Sequence, residues 1–119
     1  MNTRLSYVGA PPEANATVTL YSTNTQMDES AAGSKWIAAT IKCSHAGTLR
    51  CYWVGQSGVE HLLGEDEVTG GDEDDPSEIF EYYIEPHRKI ALRFDNDGTE
   101  QETFDVDVCL SCERARAAT

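Results

Sequence analysis

The strictest alternation in this chain lies in TFDVDVCLSC, residues 103–112. Apolar side chains stand at Phe104, Val106, Val108 and Leu110, and acidic or smaller side chains stand between them. Because successive side chains of a strand point to opposite faces, this pattern predicts a strand that buries one face. The segment therefore favours a sheet that packs one side against a core.

Other parts of the chain have the same alternation or a β-branched composition. They are residues 16–21, 35–43, 48–54, 59–63, 78–84 and 89–95. Turn residues separate them, and Asp97-Gly98 predicts a tight hairpin before the last strand. About seven to eight short strands with regular turn signals are typical of a sandwich. We therefore predict an all-β fold, an antiparallel β-sandwich of jelly-roll or immunoglobulin-like type.

The alternation also predicts which side chains build the core. The inward positions are Ile37, Ala39, Ile41 and Cys43; Leu49, Cys51 and Trp53; Ile90, Leu92 and Phe94; and Phe104, Val106, Val108, Leu110 and Cys112. Five aromatic side chains could instead line a sugar-binding face, because stacking on a sugar needs an exposed ring. They are Trp36, Tyr52, Trp53, Tyr82 and Tyr83. Alternation turns at least half of them inward, so we expect core packing for most.

The chain divides by composition into three parts. Residues 1–15 have little periodicity and contain two adjacent prolines, which favour an extended conformation and do not fit a sheet interior. We expect an extended N-terminal arm over 1–15, one β-sandwich domain over 16–112, and a short C-terminal tail over 113–119.

The arm carries candidate partner-binding residues. Leu5, Tyr7 and Val8 are predicted to bury against a neighbouring subunit, with Pro11 and Pro12 stiffening the exit from the sandwich. Without a partner, such a segment does not offset its own ordering entropy. We therefore expect that its removal leaves the thermal transition of the sandwich nearly unchanged.

The charge of the chain excludes two classes of partner. Nine Lys and Arg against 21 Asp and Glu, in 119 residues, give a formal charge of −12. Binding to nucleic acid or to an anionic membrane needs a cationic surface, so we expect neither. The first 25 residues lack the apolar region of a signal peptide, which predicts synthesis and folding in a cytosol.

Acidic residues are concentrated in the middle of the sequence. No Lys or Arg occurs between Arg50 and Arg88, and residues 64–77 are predicted to form a long acidic surface loop. Such a run is usually a solvated face. Two functional alternatives are capture of Ca²⁺ or Mg²⁺ by Asp72, Asp74 and Asp75, and docking against a basic surface.

The four cysteines are Cys43, Cys51, Cys109 and Cys112. In a reducing compartment they are most often free thiols packed as small apolar groups. A disulfide or a four-thiolate zinc site is the alternative, although Cys109 and Cys112 would point to opposite faces of a strand.

Catalytic patterns are absent from the sequence. The stretch around Ser57 lacks the glycine spacing of a nucleophile elbow, and His45, His61 and His87 lie near predicted turns or strand ends. We expect a protein that is not an enzyme and that has no cofactor.

The Pro-containing arm, the strand KWIAATI (35–41), the turn AGTL (46–49) and the closing strand FDVDV (104–108) resemble the small acidic β-sandwich proteins of tailed bacteriophage virions. The resemblance is to capsid-decoration or head–tail accessory proteins and covers about residues 16–112. It implies a non-enzymatic virion protein that decorates, cements or caps a head or tail assembly. It also implies other virion proteins as partners and a homo-oligomer, with a trimer favoured.

A second interpretation belongs to another class of protein. The same sandwich could be a carbohydrate- or ligand-binding module that uses exposed aromatic rings, with a structural calcium ion. Binding on a glycan array that is abolished by mutating Trp53 or Tyr83 would favour it.

Overall fold

A computed structural model describes residues 3–7, 9–22, 35–71, 77–84 and 89–112. It contains eight strands within these ranges. In chain order they are β1 (Thr3–Ser6), β2 (Thr17–Ser22), β3 (Trp36–Cys43), β4 (Gly47–Val54), β5 (Glu60–Val68), β6 (Glu78–Tyr83), β7 (Ile90–Asn96) and β8 (Phe104–Ser111).

The strands form two four-stranded sheets. One sheet has the order β1-β8-β3-β6 and the other has the order β2-β7-β4-β5, and every pair is antiparallel. This is the strand order of a jelly roll, in which the chain passes repeatedly from one sheet to the other. The prediction of an all-β antiparallel sandwich is confirmed.

The alternation also identified the core correctly. Phe94 and Leu92 on β7 and Ile37 and Ile41 on β3 are fully buried, as is Leu110 on β8. They are the inward positions of their strands. Burial of each side chain of this size contributes on the order of 1.5–3 kcal/mol, so this layer supplies most of the driving force for folding.

The predicted hairpin at Asp97-Gly98 is wrong. β7 and β8 lie in different sheets, so the chain after Asn96 crosses the sandwich instead of turning back beside β7. Gly98 does not adopt the positive φ that a tight hairpin turn requires. The Asp97 amide donates to the carbonyl of Ala46, in the connection between β3 and β4, at 3.4 Å.

The predicted acidic loop is shorter than residues 64–77, because its first five residues belong to β5. Gly64 leaves room for the ring of Tyr82, which would lie 2.5 Å from a Cβ at that position. The Tyr82 hydroxyl donates to Asp66 at 2.8 Å, and Val68 is buried. Burial and this hydrogen bond raise the pKa of Tyr82, so the phenol stays protonated. Local composition did not indicate this half of β5, because its acids Glu65 and Asp66 are stabilised by Arg50 of β4 and Tyr82 of β6.

The N-terminal segment is also part of the sandwich. β1 pairs with β8, with Leu5 opposite Val108. The Tyr7 amide continues the ladder to the carbonyl of Val106 at 2.9 Å, and its ring packs edge-on against Phe104 at 5.4 Å. The sequence suggested a separate arm because the ladder partner lies about a hundred residues away, beyond the reach of any local pattern.

Four connections between the sheets meet at one end of the sandwich, which we call the crossing end. They join β1 to β2, β3 to β4, β5 to β6 and β7 to β8. Gln101 and Asn96 are almost fully buried there. The side-chain amide of Gln101 donates to the backbone carbonyl of His45 at 2.6 Å and to the side-chain oxygen of Asn96 at 2.9 Å. Its side-chain oxygen accepts from the backbone amide of His45 at 2.9 Å.

Asn96 extends this network to the first connection. Its side-chain amide donates to the carbonyls of Glu13 and Thr99, both at 2.8 Å, while the Gln101 amide donates to the carbonyl of Pro12 at 3.0 Å. Backbone groups of three crossings are thus paired without water, as buried polar groups require.

Replacing Gln101 with Ala tests the network. The substitution leaves the backbone amide and carbonyl of His45 and the side-chain oxygen of Asn96 without this partner, so we expect a loss of about 3 kcal/mol in the free energy of unfolding. Urea unfolding of the variant measures it. Gln56→Ala, in an exposed turn, is the matched control and should change stability by less than about 0.5 kcal/mol. Equal effects of the two substitutions would contradict the role given to Gln101.

Deleting residues 1–7 tests whether β1 belongs to the fold. The truncation removes the ladder to β8 and uncovers Phe104, so we expect a loss of about 2 kcal/mol or more and a lower melting temperature. Calorimetry measures it, with a deletion of residues 1–2 as the control because it leaves β1 complete. An unchanged transition would instead support a mobile arm.

Candidate interaction surface

The two edge strands β5 and β6 lie on the same side of the sandwich, which we call the β5/β6 flank. The Tyr82 hydroxyl of β6 bonds to Asp66 of β5 and so joins the edges of the two sheets. Within the described ranges, the exposed large apolar side chains are Val59, Leu62, Ile79 and Tyr83, with exposed fractions of 53%, 54%, 42% and 51%. Leu62 lies on the outer face of the β2-β7-β4-β5 sheet, opposite Tyr52, and Val59 precedes β5. Ile79 and Tyr83 lie on the outer face of the other sheet, opposite Thr40 and Trp36.

Aromatic rings mark the end of the flank away from the crossings. Trp36 of β3 packs edge-on against Tyr83 of β6 at 5.2 Å between ring centroids. Trp53 stacks on His61 of β5 at 4.3 Å. Tyr82 is buried, whereas Tyr83 is half exposed. Trp36 and Tyr83 pair on the outer face of one sheet, whereas Trp53 packs against the core of the sandwich, so the rings do not form one continuous flat platform.

Two arginines occupy the centre of the outer face of the second sheet. Arg50 and Arg93 are directly opposite each other on β4 and β7. Arg50 pairs with Glu65 at 2.7 Å and also with Asp95, while Arg93 pairs with Glu60 at 2.7 Å. The hydrogen bond from Arg93 lowers the pKa of the Glu60 carboxyl. These pairs are partly exposed, so each adds little stability, but together they neutralise two adjacent positive charges.

The remaining charge of the flank is negative. β5 and β6 contain Glu60, Glu65, Asp66, Glu67, Glu78 and Glu81 and no Lys or Arg. The Glu78 carboxylate accepts hydrogen bonds from the amides of Thr69 and Gly70, both at 3.1 Å. It thereby fixes the start of the connection from β5 to β6, so the acids sit on an ordered scaffold.

The predicted cation ligands cannot be placed, because Asp72, Asp74 and Asp75 lie outside the described residues. In the part of the chain that is described, no three His, Cys, Asp or Glu side chains are grouped as a metal site would require. Asp95, from the calcium-loop-like stretch, accepts from the hydroxyl of Thr17 and pairs with Arg50.

The cysteines lie in different environments, and among the described residues none of the four forms a disulfide. Cys43 and Cys51 are buried in opposite sheets, Cys109 is half-buried on β8, and Cys112 is exposed. Burial raises the pKa of Cys51 to about 12, and burial together with the charge of Glu78 raises the pKa of Cys43 to about 11. Both buried thiols therefore stay protonated and pack as small apolar groups.

The described histidines have structural contacts. His61 is stacked on Trp53, and His45 gives its backbone groups to Gln101. Ser57 is exposed in the turn between β4 and β5, and His87 lies outside the described ranges. No helix among the described residues has the length and hydropathy to cross a membrane.

The candidate partner-binding residues of the arm have mixed positions. Leu5 pairs in register with Val108, Tyr7 covers Phe104, and Pro12 is buried, whereas Pro11 is exposed. Val8 lies outside the described residues. A partner contact through this segment stays a prediction.

The sequence interpretation did not single out Val59, Leu62 or Ile79. A usable signal was present, because all three fall in the long stretch after Arg50 that contains no basic residue. The sequence pattern does not show that β5 and β6 are edge strands of two different sheets and lie on the same side of the sandwich.

Comparison with known proteins shows the fold. No family model matches the chain, and no curated protein matches it. Among solved structures, the PBSX exported protein XepA is similar with a TM-score of 0.73 and 14% identity, over 98% of this chain and 39% of XepA. The SPBc2 prophage-derived protein YomS has a TM-score of 0.53 and 11% identity over 92% of this chain and 94% of its own.

PirA is similar to the same degree, with a TM-score of 0.53 and 9% identity over 92% of this chain and 91% of PirA. This chain spans about two fifths of the length of XepA and nearly the whole of the other two. At these identities the similarity lies in the arrangement of the strands, and the chain has the same sandwich fold as a part of the exported PBSX protein and as the prophage-derived protein.

Proposed function

We propose that this chain is a structural protein of a bacteriophage particle or of a phage-derived assembly, where it acts through protein–protein contacts. The observation that carries the proposal is the sandwich shared over 98% of the chain with an exported PBSX protein and over 92% with a prophage-derived protein. The sequence pattern supports the same class independently of these structures. The specific role is to decorate, cement or cap a head or tail, in the virion, after synthesis in the host cytoplasm.

The distribution of polar and apolar groups supports a binding role over a catalytic one. The buried polar side chains Asn96 and Gln101 are occupied with backbone groups of the crossings, and the buried thiols stay protonated. Exposed apolar side chains are available for protein contacts on both outer faces, Leu62 on one sheet and Ile79 and Tyr83 on the other. Partners are other virion proteins, and self-assembly as a trimer is part of the proposal.

The N-terminal segment offers a second contact region. β1 is an edge strand of four residues, and the exposed Pro11 follows it at the surface. A neighbouring subunit that packs along this edge would meet residues 3–11, while Pro12 stays anchored in the crossing end.

Incorporation into particles tests the proposal. We expect the tagged chain, produced during infection by the phage that encodes it, to sediment with purified particles at a fixed ratio to the major capsid or tail protein. A tagged acidic protein of similar size is the control and should stay at the top of the gradient. Recovery of the chain only from the free protein fraction would overturn the structural role.

The alternative function is a carbohydrate-binding module, which the half-exposed ring of Tyr83 beside Trp36 favours. Binding on a glycan array that disappears in Tyr83→Ala would support it. Val59→Ala is the control because it changes an exposed side chain and leaves every ring in place, so it should keep the binding. No binding by the wild-type chain would leave the structural role as the proposal.

A further inference from the structure

We propose that two copies of the chain pair along the outer edge of β2, so that their β2-β7-β4-β5 sheets join into one antiparallel sheet of eight strands. The inference rests on the proposed function in one respect, that the chain works through protein contacts. It adds the strand that makes a contact, its register, and a second copy of this chain as the occupant.

The edge strands differ in how they are protected against pairing with another strand. Natural edge strands usually carry charged residues or proline, which keep other strands away. Among the described strands, the edges are β1, β2, β5 and β6. β5 and β6 are rich in acids, and β1 is short and contains Arg4. β2 has the sequence TVTLYS, with neither a charged residue nor a proline, so it lacks this protection.

The ladder to β7 determines which backbone groups of β2 face outward. The Asn96 amide donates to the carbonyl of Ala16 at 2.8 Å. Alternate residues of an antiparallel strand bond to the same neighbour, so the backbone groups of Val18 also face β7. Thr17 and Thr19 therefore direct their N–H and C=O groups away from the sheet. These four groups are the donors and acceptors that a further strand would use.

The same alternation fixes the register in which a second copy fits. Two antiparallel β2 strands related by a twofold axis place Thr17 of each copy opposite Thr19 of the other, which gives four backbone hydrogen bonds. Val18 then lies at the axis, opposite its own counterpart. The register shift after Thr19 limits regular pairing to this short stretch, so we expect a weak and reversible contact.

The charge of the chain favours this edge for contact between identical molecules. With a formal charge of −12, two copies repel each other wherever acids face acids. Within the joined sheet, the nearest charged side chains are Arg93 and Asp95 of β7. The two β7 strands would be three strand spacings apart, about 14 Å. This distance exceeds the screening length of about 8 Å at physiological salt, so the repulsion across the contact is small.

The start of β2 is held in place before a second copy arrives. The Asn15 amide donates to the carbonyl of Asp97 at 3.2 Å, and the Asn96 side chain donates to the carbonyl of Glu13 at 2.8 Å. Both bonds fix the turn that leads into the strand. A strand that is already ordered loses less entropy on pairing, so a short contact is sufficient for a specific register.

The symmetry of the contact determines the size of the assembly that it forms. A contact in which both copies use the same strand closes on itself at two copies. Pairing through β2 alone therefore gives a dimer. The trimer of the proposed function would need a further contact, such as the β1 edge.

Sedimentation velocity tests whether the copies pair. We expect the wild-type chain to shift from monomer to dimer as its concentration is raised to about 1 mM. Raising the salt from about 50 to about 500 mM should increase the dimer fraction, because salt screens the repulsion between two negative chains. A contact held by ion pairs would weaken under the same change.

A matched pair of proline variants locates the contact. Thr19→Pro removes an outward N–H and leaves the ladder to β7 in place, and edge strands tolerate proline at such positions. Gln56→Pro is the control: the Gly58 amide donates to the Gly55 carbonyl at 2.9 Å, which makes Gln56 the second residue of a turn, where proline fits. We expect Thr19→Pro to raise the dimer dissociation constant at least about tenfold and Gln56→Pro to change it less than about twofold.

Circular dichroism and the melting temperature establish that both proline variants are folded. Thr17→Pro, which also removes an outward N–H, is the second variant if Thr19→Pro does not fold.

Disulfide trapping tests the register. In a chain that carries Cys109→Ser and Cys112→Ser, Val18→Cys places two thiols opposite each other at the axis. The Cα atoms of such a pair lie about 4.5 Å apart, which a disulfide spans. Val59→Cys is the control, because Val59 is exposed and precedes β5 at the other edge of the sheet. We expect mild oxidation to form covalent dimer at least about tenfold faster in Val18→Cys than in Val59→Cys.

Three results would overturn the pairing through β2. They are a wild-type chain that stays monomeric at about 1 mM, a dimer that Thr19→Pro and Gln56→Pro weaken equally, and equal trapping of Val18→Cys and Val59→Cys. Particle incorporation separates this proposal from the structural role. A wild-type chain that enters particles but stays monomeric in solution keeps the structural role and loses the β2 contact. A chain that dimerises through β2 but never enters particles does the reverse.

Discussion

Two buried amides hold the end of the sandwich at which the chain passes between the sheets. A jelly roll needs several such crossings, and each one takes backbone N–H and C=O groups out of a ladder and places them over an apolar core. Gln101 and Asn96 supply donors and acceptors in that position and bind the connections before β2, before β4 and before β8. Burial of unpaired backbone groups at the crossings would oppose this topology, and the two side chains offset that cost by pairing with them. The same hydrogen bonds hold the two sheets in one relative position.

Order at the crossing end determines how the edges of the sheets are arranged. The connection that contains His45 joins β3 in one sheet to β4 in the other. Because β6 pairs with β3 and β5 pairs with β4, the two edge strands lie on the same side, where the Tyr82 hydroxyl donates to Asp66. Gly64 is needed at that contact because a side chain there would overlap the Tyr82 ring. The position of the two edge strands beside each other is therefore a consequence of the crossings and not of any local sequence preference.

The sequence predicted what depends on neighbours along the chain and missed what depends on distant partners. Alternation located seven of the strands and the inward residues of β3, β7 and β8, because a strand's period is a local property. It did not identify β1, whose stabilising ladder comes from β8, nor the second half of β5, whose acids are compensated by Arg50 and Tyr82. Asp97-Gly98 resembled a hairpin because turn chemistry does not encode which sheet the next strand joins.

The placement of charge illustrates the same limit and has a physical consequence for function. A surplus of twelve negative charges keeps such a chain soluble but opposes compaction, and the opposition is smallest where acids are spread over solvent-facing edges. Here Arg50 and Arg93, at the centre of one sheet, pair on its outer face with Glu65, Asp95 and Glu60. The run of acids that is continuous in the sequence is thus divided by the fold. Glu65 and Glu67 lie on the outer face of one sheet, Glu81 lies on the outer face of the other, and Asp66 accepts from Tyr82 between the two sheet edges. Division of like charges over separate surfaces lowers their mutual repulsion, and it is a property of the sheet topology that the sequence pattern does not contain.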